Sequence, residues 1–291
     1  MAGPERLLDT SARQHWRHGP IELVIDVRGE ARAVAAAHDA AWRRFGTVLG
    51  ELVDELHLLR RPVEDARQAR GMVARRMVAA CEPYLPEFIT PMAAVAGAVA
   101  EEILRHYEGP GIGRASVNNG GDIALFLAAG ESLAVGLVPD IERPGIDATL
   151  RVAHGDAIRG VATSGWRGRS FSLGIADSVT VLARSAAMAD AAATMIANAV
   201  DADHPAVRRA PAASLRDDTD LGMRLVTVAV GELPPAVVEA ALDRGARAAE
   251  GMRSRGLVVG AALALKGRWR TIGDGFPRSE RSGVEELAVA T

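Results

Sequence analysis

Three polar side chains recur every four residues in a segment that is otherwise small and apolar. Between Ala186 and Val200 the only polar residues are Asp190, Thr194 and Asn198. At about 3.6 residues per turn, this spacing places them on one stripe of a helix. A helix that is apolar on its other sides is expected to be buried, and a buried carboxylate requires a cation, a metal or several hydrogen-bond donors. We therefore expect such a partner opposite Asp190.

Spacing alone leaves two interpretations of this stripe open. In the first it is structural: Asp190 accepts hydrogen bonds from a nearby loop, and the Thr194 hydroxyl donates to the carbonyl four residues earlier. In the second it is a site for a hard cation, to which Asp190 and Thr194 supply oxygen ligands. A backbone carbonyl and the phosphates of a substrate would then complete the shell, as Mg²⁺ prefers.

A pair of glycines separates two apolar runs in the middle of the chain. The residues there are Asn118, Asn119, Gly120, Gly121 and Asp122, and Asn-Gly between apolar runs predicts a tight hairpin turn. Consecutive glycines would also let a ligand lie directly on the backbone, because no side chain stands between them. In that case Asn118 and Asp122 would flank the ligand.

A turn of Thr163, Ser164 and Gly165 precedes the β-type run from Ser178 to Leu182. No nucleophile site accompanies it, because Ser164 has no identifiable base and the chain contains no Gly-x-Ser-x-Gly elbow. The seven histidines form no paired metal motif. Cys81 is the only cysteine, which excludes an intramolecular disulfide and a cysteine-based metal site.

The composition indicates an ordinary soluble globular protein. The chain has 291 residues, of which 48% are hydrophobic and 24% charged, and a net charge of −3. Its basic residues are dispersed, which gives no indication of nucleic-acid binding. The apolar run around residues 92–100 is too short to span a membrane, and no signal peptide is evident. We expect a cytoplasmic protein, and its apolar helices and edge strands are consistent with a homodimer.

Helices and short strands are predicted around these candidate residues. The first 14 residues are predicted to be a frayed leader. His15 to Gly29 is predicted to contain two strands, of which Ile21 to Val27 alternates as a half-buried strand does. Apolar residues at helical spacing predict an amphipathic helix from Glu30 to Leu59. Thr90 and Pro91 are predicted to begin a buried helix that ends at Tyr107.

The second half of the chain is predicted to alternate strands and helices. A polar segment from Asp201 to Gly222 is longer than an ordinary turn and is predicted to be a connector. The chain is then predicted to close with a helix and a hairpin, over the ranges Pro234 to Arg253, Leu257 to Leu265 and Arg268 to Ile272.

The order of four motifs resembles that of the ApbE superfamily, the flavin transferases that act on FAD. The motifs are Val117 to Asp122, Ala162 to Gly165, Ser178 to Val181 and Ala189 to Thr194. The chain is more similar to an uncharacterised ApbE-like branch, in which the run Pro91 to Gly97 is typical. This resemblance implies an α+β fold of duplicated T-fold-like halves, with antiparallel sheets packed by long helices. It also implies a single domain over 1–291 whose halves, about 15–110 and 111–291, are intertwined around a ligand cleft.

The resemblance also implies a set of site residues. In the transferases the last motif binds Mg²⁺ together with backbone near the Thr-Ser-Gly turn, and the matching positions are Asp190, Thr194 and Ala162. A small phosphate-bearing ligand, FAD or FMN, would contact the residues that match the two turns, which are Asn118, Asn119, Gly120, Gly121, Asp122, Thr163, Ser164 and Gly165. The transferases carry a histidine and an Asp-Pro pair before the Ser-Val-Thr-Val strand. The segment Ser170 to Asp177 has the aspartate alone.

Three hypotheses follow from these residues. The first is a Mg²⁺-dependent transferase or pyrophosphatase that acts on a flavin or another nucleotide. The second is a flavin-binding or accessory protein that lacks the transferase histidine and does not catalyse. The third is an enzyme of unrelated chemistry that binds a small anion in the same cleft, with Arg167 and Arg169 as candidate anion ligands.

Overall fold

The computed structural model describes residues 3–10, 12–137, 148–273 and 276. Its strands are β1 (Glu5–Asp9), β2 (Arg13–His18), β3 (Ile21–Gly29), β4 (Ile112–Asn119), β5 (Asp122–Leu127), β6 (Ser132–Leu137), β7 (Ala148–Ala153), β8 (Gly160–Ser164), β9 (Ser178–Ala183), β10 (Val207–Pro211), β11 (Leu225–Val230), β12 (Gly260–Leu265) and β13 (Arg268–Gly273). Its α-helices are α1 (Ala31–Asp54), α2 (Leu56–Leu59), α3 (Met72–Cys81), α4 (Val95–Leu104), α5 (Ala186–Ala199), α6 (Ala212–Leu215) and α7 (Pro235–Ser254).

Nine of the strands form one sheet in the order β1-β2-β3-β4-β5-β8-β9-β12-β13. Every neighbouring pair in it is antiparallel. The strands β10 and β11, and β6 and β7, form two separate hairpin-like pairs. The predicted α+β class with an antiparallel sheet and long helices is therefore confirmed. The internal duplication into halves remains a prediction, as does the domain extent of 1–291, whose ends lie outside the described residues.

The long helices pack on one face of the sheet. α1 contacts β3, α4 contacts β4 and β5, α5 contacts β8 and β9, and α7 contacts β12 and β13. α1 buries the predicted helical stripe, including Val34, Ala41 and Phe45. A second, smaller apolar cluster on the other face is covered by β6 and β7 and includes Leu125, Leu150, Val152, Val161 and Leu182. The sheet therefore has a core on each face, and α5 lies at the centre of the larger core.

Several local predictions are confirmed, and one is wrong. The predicted strand after residue 20, the first long helix, the closing helix and the closing hairpin correspond to β3, α1, α7 and β12–β13. The leader prediction is wrong, because residues 5–9 form β1 and residues 13 and 14 begin β2 at the edge of the sheet. The two strands predicted between residues 15 and 29 correspond to β2 and β3, and the predicted connector from Asp201 to Gly222 contains β10 and α6.

The helix predicted from residue 91 begins later than its capping signal indicates. Residues Pro91–Ala94 form a 3-10 turn, and α4 starts at Val95. The Thr90 side chain makes no capping hydrogen bond and its hydroxyl donates instead to Asp220. The segment before α4 is thereby connected to the distant loop that follows α6.

Candidate functional site

A cleft of about 850 Å³ lies at one end of the large sheet. It is lined by the β4–β5 turn, the end of β8 with the loop that follows it, one stripe of α5, the segment before α4, and residues 216–221. Small-molecule and cofactor sites typically have volumes of about 300–1,000 Å³. The cleft is therefore large enough for a ligand of cofactor size.

The polar stripe of α5 faces this cleft, as its spacing predicts. Asp190, Thr194 and Asn198 all line the cleft, whereas the alanines between them are buried in the core. The Asn198 side-chain carbonyl accepts hydrogen bonds from the Leu173 N–H at 3.0 Å and from the Ser172 hydroxyl at 3.3 Å. Asn198 therefore holds the β8–β9 loop against α5, and Asp190 and Thr194 are the stripe residues left to face a ligand.

Asp190 lies at the N-terminus of α4. Its Oδ2 accepts a hydrogen bond from the Gly97 N–H at 2.9 Å, and the residue before α4, Ala94, has no side chain that could cap the helix. A carboxylate there satisfies free N–H groups and interacts favourably with the helix dipole. In return, Glu101 of α4 accepts from the Ala187 N–H of α5 at 3.1 Å. The structural interpretation of Asp190 thus accounts for some of its hydrogen bonds.

A second carboxylate, Asp122, lies near Asp190 on the same face of the sheet. Asp122 begins β5 and is 8% exposed, and its Oδ1 accepts from the Thr163 N–H at 3.2 Å. Burial raises the pKa of Asp122 to about 7, although the Thr163 N–H and the charge of Arg169 lower it. Burial also raises the pKa of Asp190 well above its ordinary value, and repulsion from Asp122 adds to this increase.

The hydrogen bonds that Asp190 receives do not offset this cost of ionisation. The Gly97 and Ala96 N–H groups lower the pKa of Asp190, but burial and the charge of Asp122 outweigh them. Two adjacent buried acids ionise together only when a positive charge joins them, and otherwise one retains a proton. The pair is therefore a candidate cation site. The sequence predicted that Asp190 and the Gly120–Gly121 turn share one pocket and that Asp122 contacts the ligand, but it did not predict that the two carboxylates adjoin.

The Gly120–Gly121 turn is confirmed as a tight hairpin turn. Asn119 pairs with Asp122 across it, and the two glycines have φ values of +65° and +115°, which favour glycine. The Asn118 side chain accepts from the Gly121 N–H at 2.8 Å. Asn119 is buried and donates to the Ala96 carbonyl at 3.1 Å. Asn118 and the glycines line the cleft, while Asn119 is absent from its lining and holds the segment before α4.

The residues of the Thr163 turn divide between the two faces of the sheet. Alternation along β8 places the Thr163 side chain on the face opposite Ala162, and its hydroxyl lies 2.9 Å from the Thr180 hydroxyl. Ala162 packs in the helix-side core and does not line the cleft. Ser164 and Gly165 do line it, and alternation places the Ser164 side chain on the face of Asp190. Of the predicted cation ligands, the structure brings Asp190 and Thr194 to the cleft, and it does not bring Ala162 there.

Two aromatic rings, each with an arginine stacked on it, lie in a part of the cleft that no motif indicated. Arg216 stacks on the Phe171 ring at 5.0 Å, and Arg224 stacks on the Phe88 ring at 3.2 Å. Both rings line the cleft, together with an ion pair of 3.1 Å between Arg60 and Asp218. These residues come from distant parts of the chain, so that no spacing in the sequence could have indicated them.

Histidine and cysteine do not contribute to the cleft. All seven histidines lie within the described ranges, and none lines the cleft. Cys81 is buried, and burial raises the pKa of its thiol well above the ordinary value, with a further contribution from Asp190. Among residues 3–10, 12–137, 148–273 and 276, no group of three or more His, Cys, Asp or Glu side chains could hold a metal ion. A cation here would therefore depend on hydroxyl, carbonyl and ligand oxygens as well as carboxylates.

The chain matches a known protein family over nearly all of its length. Residues 5–271 match the family model described as "AbpE bacteria". The chain belongs to this family. The ApbE-like resemblance predicted from the motifs is thus confirmed, and the matched residues include all of the cleft residues named above. No helix in the described part of this ApbE-like protein is long and apolar enough to cross a membrane.

Two archaeal relatives and one solved structure resemble the chain. A UPF0280 protein of Methanothermobacter thermautotrophicus is 35% identical over 202 residues, which are 64% of this chain and 74% of the relative. A UPF0280 protein of Methanopyrus kandleri is 43% identical over 144 residues, 47% of this chain and 54% of the relative. The apo structure of the Pseudomonas stutzeri flavinyl transferase ApbE is similar over 93% of this chain and 95% of that chain, with 13% identity and a TM-score of 0.45.

Proposed function

We propose that the cleft binds a phosphate-bearing nucleotide, with FAD or FMN as the first candidates, together with Mg²⁺ held by Asp190 and Thr194. The observation that carries this proposal is the pair of buried acids Asp122 and Asp190 at the cleft, each with a raised pKa. Family membership supports the choice of a flavin as the first ligand to test.

The residues present fit a divalent cation. Asp190 offers a carboxylate and Thr194 a hydroxyl one turn further along α5, and both are oxygen ligands of the kind that Mg²⁺ prefers. A cation between Asp122 and Asp190 would remove the repulsion that disfavours their joint ionisation. Mg²⁺ bound there would neutralise a phosphate and polarise a phosphoryl oxygen, as a transferase or a pyrophosphatase requires.

The chain's own residues also fit the other parts of a nucleotide. The Gly120–Gly121 turn offers backbone without side chains, and the Ser164 hydroxyl lies on the helix side of β8. The rings of Phe88 and Phe171, each with an arginine over one face, add apolar surface to the lining of the cleft. These features bind and orient a ligand, and they do not by themselves specify a reaction.

Replacing Thr194 tests the cation site without disturbing the hydrogen bonds of Asp190. We expect Thr194→Val, which removes the hydroxyl at nearly constant volume, to weaken Mg²⁺-dependent binding at least about tenfold. Thr194→Ser retains the hydroxyl and is expected to bind within about twofold of the wild type. Calorimetry with FAD, FMN and ADP, each with and without Mg²⁺, measures these affinities. The absence of heat with all three ligands in the presence of Mg²⁺ would reject the proposal.

A non-catalytic binding protein is the second candidate function. It is favoured by the absence of histidine from the cleft and by the segment Ser170 to Asp177, which lacks the histidine and proline of the transferases. In this case pure protein with Mg²⁺ binds FAD and leaves it intact. Release of FMN and AMP at a rate abolished by Asp190→Asn would exclude this candidate and favour the enzyme.

A further inference from the structure

The two arginines of the β8–β9 loop have different surroundings. The Arg167 guanidinium donates to Asp177 at 3.2 Å and stacks on the Trp166 ring at 5.0 Å. Asp177 also accepts a hydrogen bond from the Lys266 N–H at 2.6 Å, so that the Asp177 carboxylate joins the loop to the end of β12. Arg167 therefore holds the loop in place. Arg169 is exposed and lines the cleft, and in the part of the chain that the structure describes its guanidinium makes no hydrogen bond or ion pair.

The Arg169 guanidinium lies directly against the backbone of Gly120. A Cβ added at residue 120 would overlap Nη2 of Arg169 and lie 3.1 Å from its Cζ. The φ of +65° favours glycine at residue 120, and a side chain there would also displace the Arg169 guanidinium. At Gly121, by contrast, no atom lies within 4 Å of an added Cβ. The turn thus has a cation on one side and open space on the other.

Acidic groups account for the presence of a positive charge at this position. Arg169 lowers the pKa of Asp122 and contributes to lowering the pKa of the exposed Glu22, whose hydrogen bond from His15 is the larger cause. The attraction acts at a distance, because Arg169 forms no ion pair with either carboxylate among the described residues. Its charge therefore lies near the turn, and its N–H donors are available to a ligand.

We propose that Arg169 binds the phosphate of the ligand over the Gly120–Gly121 turn and so determines the preference of the cleft for phosphorylated ligands. This inference deepens the proposed function and rests on it. A guanidinium donates two parallel hydrogen bonds to a phosphate and matches its geometry, whereas a lysine supplies only a point charge. The bare turn matters because a side chain at residue 120 would displace the guanidinium from this position.

Paired ligands that differ only in phosphate test this assignment. Calorimetry in the presence of Mg²⁺ compares FMN with riboflavin and ADP with adenosine, for the wild type, Arg169→Gln, Arg169→Lys and Arg13→Gln. Arg13 lies on β2 outside the cleft lining and is 59% exposed, so that its replacement controls for the loss of one positive charge. We expect Arg169→Gln to weaken the binding of FMN and of ADP at least about tenfold and to leave the affinities for riboflavin and adenosine unchanged.

The control variants distinguish a phosphate contact of Arg169 from a purely structural role. Arg169→Lys is expected to recover part of the lost affinity, and Arg13→Gln to bind within about twofold of the wild type. Equal weakening of the phosphorylated and unphosphorylated ligands would mean that Arg169 only supports the loop, and unchanged FMN and ADP affinity would mean that it does not contact the phosphate. Either result overturns this inference and leaves the proposed function standing. If the wild type binds none of the four ligands, the proposed function fails together with the inference.

Discussion

Gly97→Ala is expected to lower the free energy of unfolding by about 2–3 kcal/mol, because residue 97 lies where the backbone of α4 packs directly on that of α5. A Cβ on Gly97 would overlap the carbonyl oxygen of Ala186 and lie 2.9 Å from the Ala187 nitrogen. Both neighbours are backbone atoms, which cannot rotate away as a side chain can. The helices would have to separate, and the 2.9 Å hydrogen bond from Gly97 to Asp190 would lengthen.

A second helical glycine provides the matched control. Gly50 lies within α1, and no atom lies within 4 Å of an added Cβ there. Gly50→Ala is therefore expected to raise the stability by about 0.5–1 kcal/mol, since alanine restricts the unfolded chain and favours the helix. Urea unfolding followed by circular dichroism measures both variants. A Gly97→Ala protein as stable as Gly50→Ala would show that the helices do not pack this closely.

The features that sequence predicted well are those that a single element determines. The α5 stripe depends only on helical periodicity and on alanines that bury the rest of the helix, and all three of its polar residues face the cleft. The Gly120–Gly121 turn follows from local backbone preferences, and its positive φ values satisfy them. No long-range contact is needed to derive either feature.

The features that sequence did not predict depend on the order of strands in the sheet. Asp122 approaches Asp190 because β5 pairs with β8, and α5 packs across β8 and β9. Nothing in the spacing of Asp122 and Asp190 indicates that arrangement. The functions of Arg167 and Arg169 are also distinguished only by their neighbours, since two arginines in one loop look equivalent in sequence.

The wrong prediction of a leader has a physical cause in β2. Its buried positions alternate as Gln14, Trp16 and His18, so that polar residues occupy places where apolar ones were expected. Gln14 is accommodated because its side chain donates to Asp9 and Thr10 at 2.6 Å and accepts from the Trp16 ring at 2.9 Å. Hydropathy alone could not recognise Gln14 as a buried position at the start of this strand, because its polar side chain is satisfied by its neighbours.

Asp122→Asn is expected to remove part of the decrease in stability that the wild type shows as the pH rises. Burial raises the pKa of Asp122 from 3.8 to about 7, so that between these values the folded protein holds a proton that the unfolded chain releases. Stability from this group is therefore present at low pH and lost as the pH rises through about 7. At about 1.4 kcal/mol per pKa unit, the loss is on the order of 2–4 kcal/mol. Asparagine stays neutral and still accepts from the Thr163 N–H, so that the variant avoids this loss.

Urea unfolding at pH 5 and pH 8.5 with a chelator measures this difference. The variant is expected to gain about 2–4 kcal/mol over the wild type at pH 8.5 and much less at pH 5. Asp26→Asn, which removes a carboxylate that is 52% exposed, should stay within about 0.5 kcal/mol of the wild type at both values. An equal gain for Asp122→Asn at both pH values would show that burial does not disfavour the Asp122 charge.

Adding Mg²⁺ at pH 8.5 connects this stability effect with the cation site. At this pH Asp122 of the wild type is largely ionised, and a cation that binds only the folded state stabilises it in proportion to the logarithm of its concentration. The variant has lost one of the two charges that attract the cation, so that its stability should respond less. A wild type that gains stability with Mg²⁺, beside a variant that does not, would place the cation between Asp122 and Asp190. Equal responses would instead place the ion elsewhere on the molecule.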